Sequence, residues 1–89
     1  MNGGSVFARA TVIDVLRAAG IAPPTNLDRC IRCPLHDDHS PSFKVVGASA
    51  TGWTCFAGCG RGGVADLIIR LGYATDRREA ARWLEERVR

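Results

Sequence analysis

Four cysteines in a chain of 89 residues fall into two short-spaced pairs, Cys30-x-x-Cys33 and Cys55-x-x-x-Cys59. No other feature constrains the fold as strongly. A chain this short buries a limited core, so a metal, disulfides or a partner commonly supplements it. Paired ligands two to four residues apart, repeated across a stretch of hairpin length, are the signature of tetrahedral zinc. A tight turn brings two nearby side chains to one cation, and the hairpin returns the second pair to it. Turn-forming residues stand where this needs them: Pro34 after Cys33, and Gly58 and Gly60 around Cys59.

Spacing alone leaves two donor sets open. Cys30, Cys33, Cys55 and Cys59 would make a four-cysteine site. Because Cys33-x-x-His36 has the same spacing as Cys30-x-x-Cys33, the set Cys33, His36, Cys55 and Cys59 serves equally well. His39 is a weaker ligand candidate and suits a surface or nucleic-acid-facing position better. Asp37 and Asp38 read as solvated turn residues, either of which could orient a metal-bound histidine from behind. Disulfides, a redox dithiol and inert buried thiols are the competing readings. The opening MNGGSVFARATV lacks the apolar run of a secretory signal, no stretch approaches the ~18 apolar residues of a membrane span, and no βαβ pattern surrounds the cysteines. The expected setting is the cytoplasm without a membrane association, where thiols stay reduced and serve as ligands.

Apolar residues make up 46% and charged residues 24%, which separates the chain from disordered sequences. The formal charge is +3, and eleven of the twelve basic residues are arginine. Arginine forks onto phosphate and stacks on bases, so this balance fits a phosphate-bearing partner, although solubility alone explains it equally well.

Residues 1–10 read as a flexible leader and residues 11–89 as one domain. Thr11 and Asp14 have the spacing of a capping box, Val12, Val15, Leu16 and Ala19 share a helical face, and Gly20 is placed to end the helix. Pro23-Pro24 forces an extended run into the cysteines. SFKVVG and GWTCF read as strands joined through GASATG, with Arg29–Arg32 as a candidate third strand. After the glycine-rich CGRGG, VADLIIRLG forms a helix with Leu67, Ile68 and Leu71 inward and Gly72 as its stop. The last helix takes Thr75 or Asp76 as its cap and carries Ala80, Leu84 and Val88 on one stripe beside Trp83. The expected fold is small α+β: a zinc-ribbon-like antiparallel hairpin or sheet with flanking helices, stabilised by one structural zinc.

The run CPLHDDHSPSFKV followed by WTCFAGCGRGG resembles the zinc-binding domain of bacterial and phage DNA primases. That family reads Cys-Pro-x-His, a few polar residues and Pro-Ser-Phe, then a hairpin to aromatic-x-Cys-Phe-x-Cys-Gly and a glycine-rich helix start. Here these elements are Cys33-Pro34-Leu35-His36, Pro41-Ser42-Phe43, Trp53-Thr54-Cys55-Phe56 and Cys59-Gly60. The closing helix, with Glu79-Ala80-Ala81 and Leu84, is also similar, so the resemblance covers roughly residues 11 to 88. It implies Cys33, His36, Cys55 and Cys59 as ligands and Cys30 as a spectator. Two departures stand out. Three residues, Phe56-Ala57-Gly58, separate the last two cysteines where the family usually has two. Val64 opens the following helix where Asp is common, and Asp66 lies further in. Both read as a local shift in the knuckle.

Zinc held by four protein ligands has no open position and acts as a staple. The chain has no glycine-rich lysine loop for nucleotide phosphates and no cluster of carboxylates for polymerisation, so catalysis would need a separate domain. The resemblance implies that the domain helps recognise single-stranded DNA template and present it to a primase catalytic domain or another replication protein. Candidate nucleic-acid contacts are Arg32, His39, Lys44, Trp53 and Arg61, with Trp53, Phe43 and Lys44 as a stacking platform. Phe43 and Phe56 suit the core better than a platform. The arginines of the last helix, Arg77, Arg78, Arg82, Arg87 and Arg89, suit a solvated face. The rival reading is a protein-interaction module that docks on a replication or transcription protein through the Trp83 helix or the hairpin. A zinc hydrolase would require only three protein ligands.

Overall fold

The computed structural model describes residues 6–36 and 40–87. A 3₁₀ turn over Val6–Ala8 leads into helix α1 (Val12–Ala18). An irregular stretch then reaches three short strands, β1 (Phe43–Val46), β2 (Gly52–Cys55) and β3 (Gly60–Gly63), followed by α2 (Val64–Arg70) and α3 (Arg77–Arg87).

Local chemistry sets the helix ends. The Thr11 hydroxyl accepts from the Asp14 N–H at 3.2 Å, and the Asp14 carboxylate accepts from the Thr11 N–H at 2.9 Å, so both halves of the capping box form. At the other end Gly20 turns left-handed (φ 78°). The Gly20 and Ile21 N–H groups then donate back to the Arg17 and Leu16 carbonyls at 3.0 and 2.8 Å. Helix α2 ends the same way at Gly72. Asp76 is the cap of α3, accepting from the Glu79 N–H at 2.8 Å, while Glu79 reaches back to the Thr75 N–H and hydroxyl at 2.8 and 2.6 Å.

The sheet is an antiparallel meander in the order β1-β2-β3. Its third strand differs from the expected one. Arg29–Arg32 contributes only a bridge, Ile31 to Phe43, on the outer edge of β1, while Gly60–Gly63 pairs along all of β2. Glycine has a poor β preference, and tertiary packing overrides it. Register sets Gly60 opposite Cys55 and Gly62 opposite Trp53, on the face that α2 covers. A Cβ at Gly62 would stand 2.2 Å from the Asp66 carboxylate, and one at Gly60 would stand 2.9 Å from the Arg70 guanidinium. Only a bare backbone lets α2 fold down onto the strand that precedes it.

Between helices and sheet lies one core built from Val12, Val15 and Leu16 of α1, Phe43 and Val45 of β1, Trp53 of β2, Leu67 and Ile68 of α2, and Ala80 and Leu84 of α3. Phe43 and Trp53 stack with centroids 5.5 Å apart, and the Trp53 indole N–H donates to the Gly63 carbonyl at 3.0 Å. That buried donor is therefore satisfied. The expectation of a flexible leader over 1–10 is corrected in its second half. Val6 and Ala10 are buried, and the Arg77 guanidinium lies 4.6 Å over the Phe7 ring, so residues from Val6 on are part of the packed core. Residues 1–5 lie outside the described residues, as does Val88, the last member of the α3 stripe.

Candidate metal centre

Two turns deliver the four ligands. Cys33 and His36 flank the Pro34-Leu35 turn just beyond the Ile31 bridge. Cys55 ends β2 and Cys59 immediately precedes β3. The Gly58 N–H donates to the Cys55 carbonyl at 3.2 Å and closes the second turn. The ligand atoms of Cys33, His36, Cys55 and Cys59 all lie within 4.8 Å of one another.

The spacing fits zinc. Thiolates ~2.3 Å from a tetrahedral zinc stand about 3.8 Å apart, and the Cys33 and Cys59 sulfurs are separated by 3.8 Å. His36 presents Nδ1, 2.8 Å from the Cys59 sulfur. Cys30 is half-buried and outside the cluster, so of the two donor sets that spacing left open the structure assembles the one with His36. Three soft thiolate donors and one borderline imidazole suit one structural zinc, and four protein ligands fill its tetrahedron.

The sulfurs do not have equal environments. Burial pushes the Cys33 thiol up to about 12, against a partial offset from the Leu35 N–H, which donates to its sulfur at 3.4 Å. Burial acts in the same direction on Cys55, but the backbone N–H groups of Cys59 and Ala57 and the Ser42 hydroxyl, 3.6 Å from the sulfur, outweigh it and bring the thiol down to about 6. The centre thus combines one sulfur already suited to the thiolate form with one that needs a cation to ionise it.

Three residues around the centre escaped sequence reasoning. Ser42, the residue just before β1, supports Cys55. Arg70, at the end of α2, donates from its guanidinium to the Cys59 carbonyl and sits 5.6 Å over the Trp53 ring. Phe56, expected in the core, is 69% exposed on the knuckle. The run Pro41-Ser42-Phe43 was a visible signal for Ser42, but neither its partner nor that of Arg70 can be identified without the strand register.

The expected nucleic-acid contacts are divided by the sheet. Lys44, Thr54 and Arg61 form one transverse row, since Lys44 pairs with Thr54 and Thr54 with Arg61. Alternation puts this row on the face away from the helices. Arg32 is exposed beside Cys33. His39 lies outside the described residues. Trp53 is a correction: it points into the core with 0% exposure, stacked on Phe43, and offers no surface to a base. Phe56 follows Cys55 with its N–H donating to the Ser42 carbonyl at 2.8 Å, which carries the β1–β2 ladder one bond further.

Among the described residues no helix is long and apolar enough to cross a membrane. None of the curated proteins and none of the solved structures matches the chain significantly. The family model of the CHC2 zinc finger, the zinc ribbon of DnaG-type primases, matches residues 8–88. The match spans both ligand turns and every helix, and its Cys-His-Cys-Cys pattern is the set that the fold draws together, so the chain belongs to the CHC2 zinc-finger family of DnaG-type primases.

Proposed function

We propose that this primase zinc-binding domain binds single-stranded DNA template on the open face of its sheet and assists primer initiation beside a separate catalytic domain, in the cytoplasm. The observation that carries the reading is the Lys44–Thr54–Arg61 row with Phe56 exposed on the adjoining knuckle. Two cations spaced across three strands suit successive phosphates, and an exposed ring beside them suits an unpaired base. Arg32 adds a third cation next to the first ligand turn. Phe56 takes the stacking role that the sequence assigned to Trp53. Zinc supplies no chemistry to the substrate in this reading and keeps the two turns that flank the face in place.

Fluorescence anisotropy of a labelled single-stranded oligonucleotide with zinc-loaded protein tests the proposal at low and moderate salt. Affinity should fall as salt rises, and Lys44→Ala and Arg61→Ala should flatten that dependence. Phe56→Ala should cost about 1–3 kcal/mol, as loss of one stacked base does. No binding at either salt would leave the DNA reading without support. The rival docking helix has no exposed indole to offer, because Trp83 is buried beneath Tyr73, 4.8 Å away, and the Arg87 guanidinium, 4.5 Å away.

A further inference from the structure

The four corners of the zinc centre are unequally protected. Cys33 and Cys55 are 4% and 5% exposed, whereas Cys59 is half-buried and borders a surface depression of about 390 Å³ that it shares with Leu35 and Arg70. A reagent entering that depression meets Cys59 and Arg70 together. Arg70 is held there by three contacts. Its guanidinium donates to the Cys59 carbonyl, lies 5.6 Å over the Trp53 ring, and packs against the bare Cα of Gly60, where a Cβ would stand 2.9 Å from the nearest guanidinium nitrogen. Charge points the same way. Zinc held by three thiolates and a neutral imidazole would carry a net negative charge, and Arg70 places a fixed cation on the backbone of its half-buried Cys59 corner.

We infer that Arg70 is a positioning residue that pins the Cys59 turn, so that zinc is lost through Cys59 at a rate Arg70 sets. A pinned carbonyl keeps the turn from swinging the Cys59 sulfur outward. Loosening Arg70 therefore opens the centre at one corner and leaves the buried pair, Cys33 and Cys55, in place. Because Arg70 lies at the surface, solvent screens its charge, and its backbone hydrogen bond carries much of the effect.

The test is zinc release from the whole zinc-loaded chain exposed to N-ethylmaleimide, with a chromogenic chelator in solution and modified cysteines located over time by mass spectrometry. The reagent's double bond takes the cysteine sulfur on one carbon and a proton from water on the other, and the freed zinc passes to the chelator. Among the ligands Cys59 is expected to react first, with zinc appearing in step. Arg70→Gln should accelerate both by roughly threefold or more, given the worth of a charged hydrogen bond, and Arg70→Lys should fall between it and wild type. Modification of Cys33 or Cys55 before Cys59 in the wild-type protein would overturn the inference, and this measurement needs no variant. So would wild-type rates in a folded Arg70→Gln. If circular dichroism shows that variant unfolded, Arg70→Lys decides by the same criterion.

Discussion

Ser42, just ahead of β1, reaches the zinc centre through one hydroxyl. It is buried, 3.6 Å from the Cys55 sulfur, and with the turn N–H groups it brings that thiol down to about 6. Groups that hydrogen-bond a metal ligand typically change metal affinity 10- to 100-fold. Ser42→Ala should therefore weaken zinc binding by about one to two orders of magnitude in a chelator competition, while Cys30→Ser, outside the cluster, should leave one zinc per chain at unchanged affinity. Equal affinities for Ser42→Ala and wild type would remove Ser42 from the centre. Residue by residue, the ligands were legible because a tight turn imposes its spacing on the sequence. Supporting groups were not, because Ser42 meets Cys55 across strands and Arg70 meets Cys59 from a different element. Trp53 and Phe56 could not be assigned by type either: an aromatic suits core and platform alike, and only strand parity sends one ring inward and the other out.

At the scale of elements, the helices were legible because their ends carry their own chemistry. Thr11 with Asp14, Gly20, Gly72 and Asp76 are local devices, each closing hydrogen bonds within a few residues. Strand β3 was not, because its glycines express a demand made by α2 rather than a preference of their own. The α3 cap yields a paired expectation. Asp76→Ala should cost about 1 kcal/mol in thermal or denaturant unfolding. Glu79 adds a dependence on pH: hydrogen bonds from the Thr75 hydroxyl and N–H hold its carboxyl below the ordinary glutamate value. A carboxylate lowered on folding contributes stability that is present above its unfolded pKa and lost as pH falls through the folded one. The stability difference between wild type and Glu79→Gln should thus be widest near neutrality and close under acid. Parallel unfolding curves for the two proteins across that range would show Glu79 to be uninvolved.

For the whole molecule, the decisive quantity is how much of the fold zinc holds. The three strands have four residues each, and both turns that carry ligands adjoin them: one leads toward β1 and the other joins β2 to β3. Phe43 and Trp53, the largest fully buried side chains, lie on the strands that these turns align. Zinc binding in small structural sites is worth about 10–16 kcal/mol, against a total stability of about 5–15 kcal/mol for a domain. Metal binding thus matches or exceeds the whole net stability of a typical domain, and its removal should unfold the chain rather than loosen one loop. Chelation is expected to abolish the near-ultraviolet circular dichroism of the tryptophans, shift their emission to the red as Trp53 meets water, and flatten the cooperative thermal transition, with restoration on adding zinc. A chelated protein that kept its near-ultraviolet spectrum and a sharp melting transition would mean that the apolar core closes the sheet unaided.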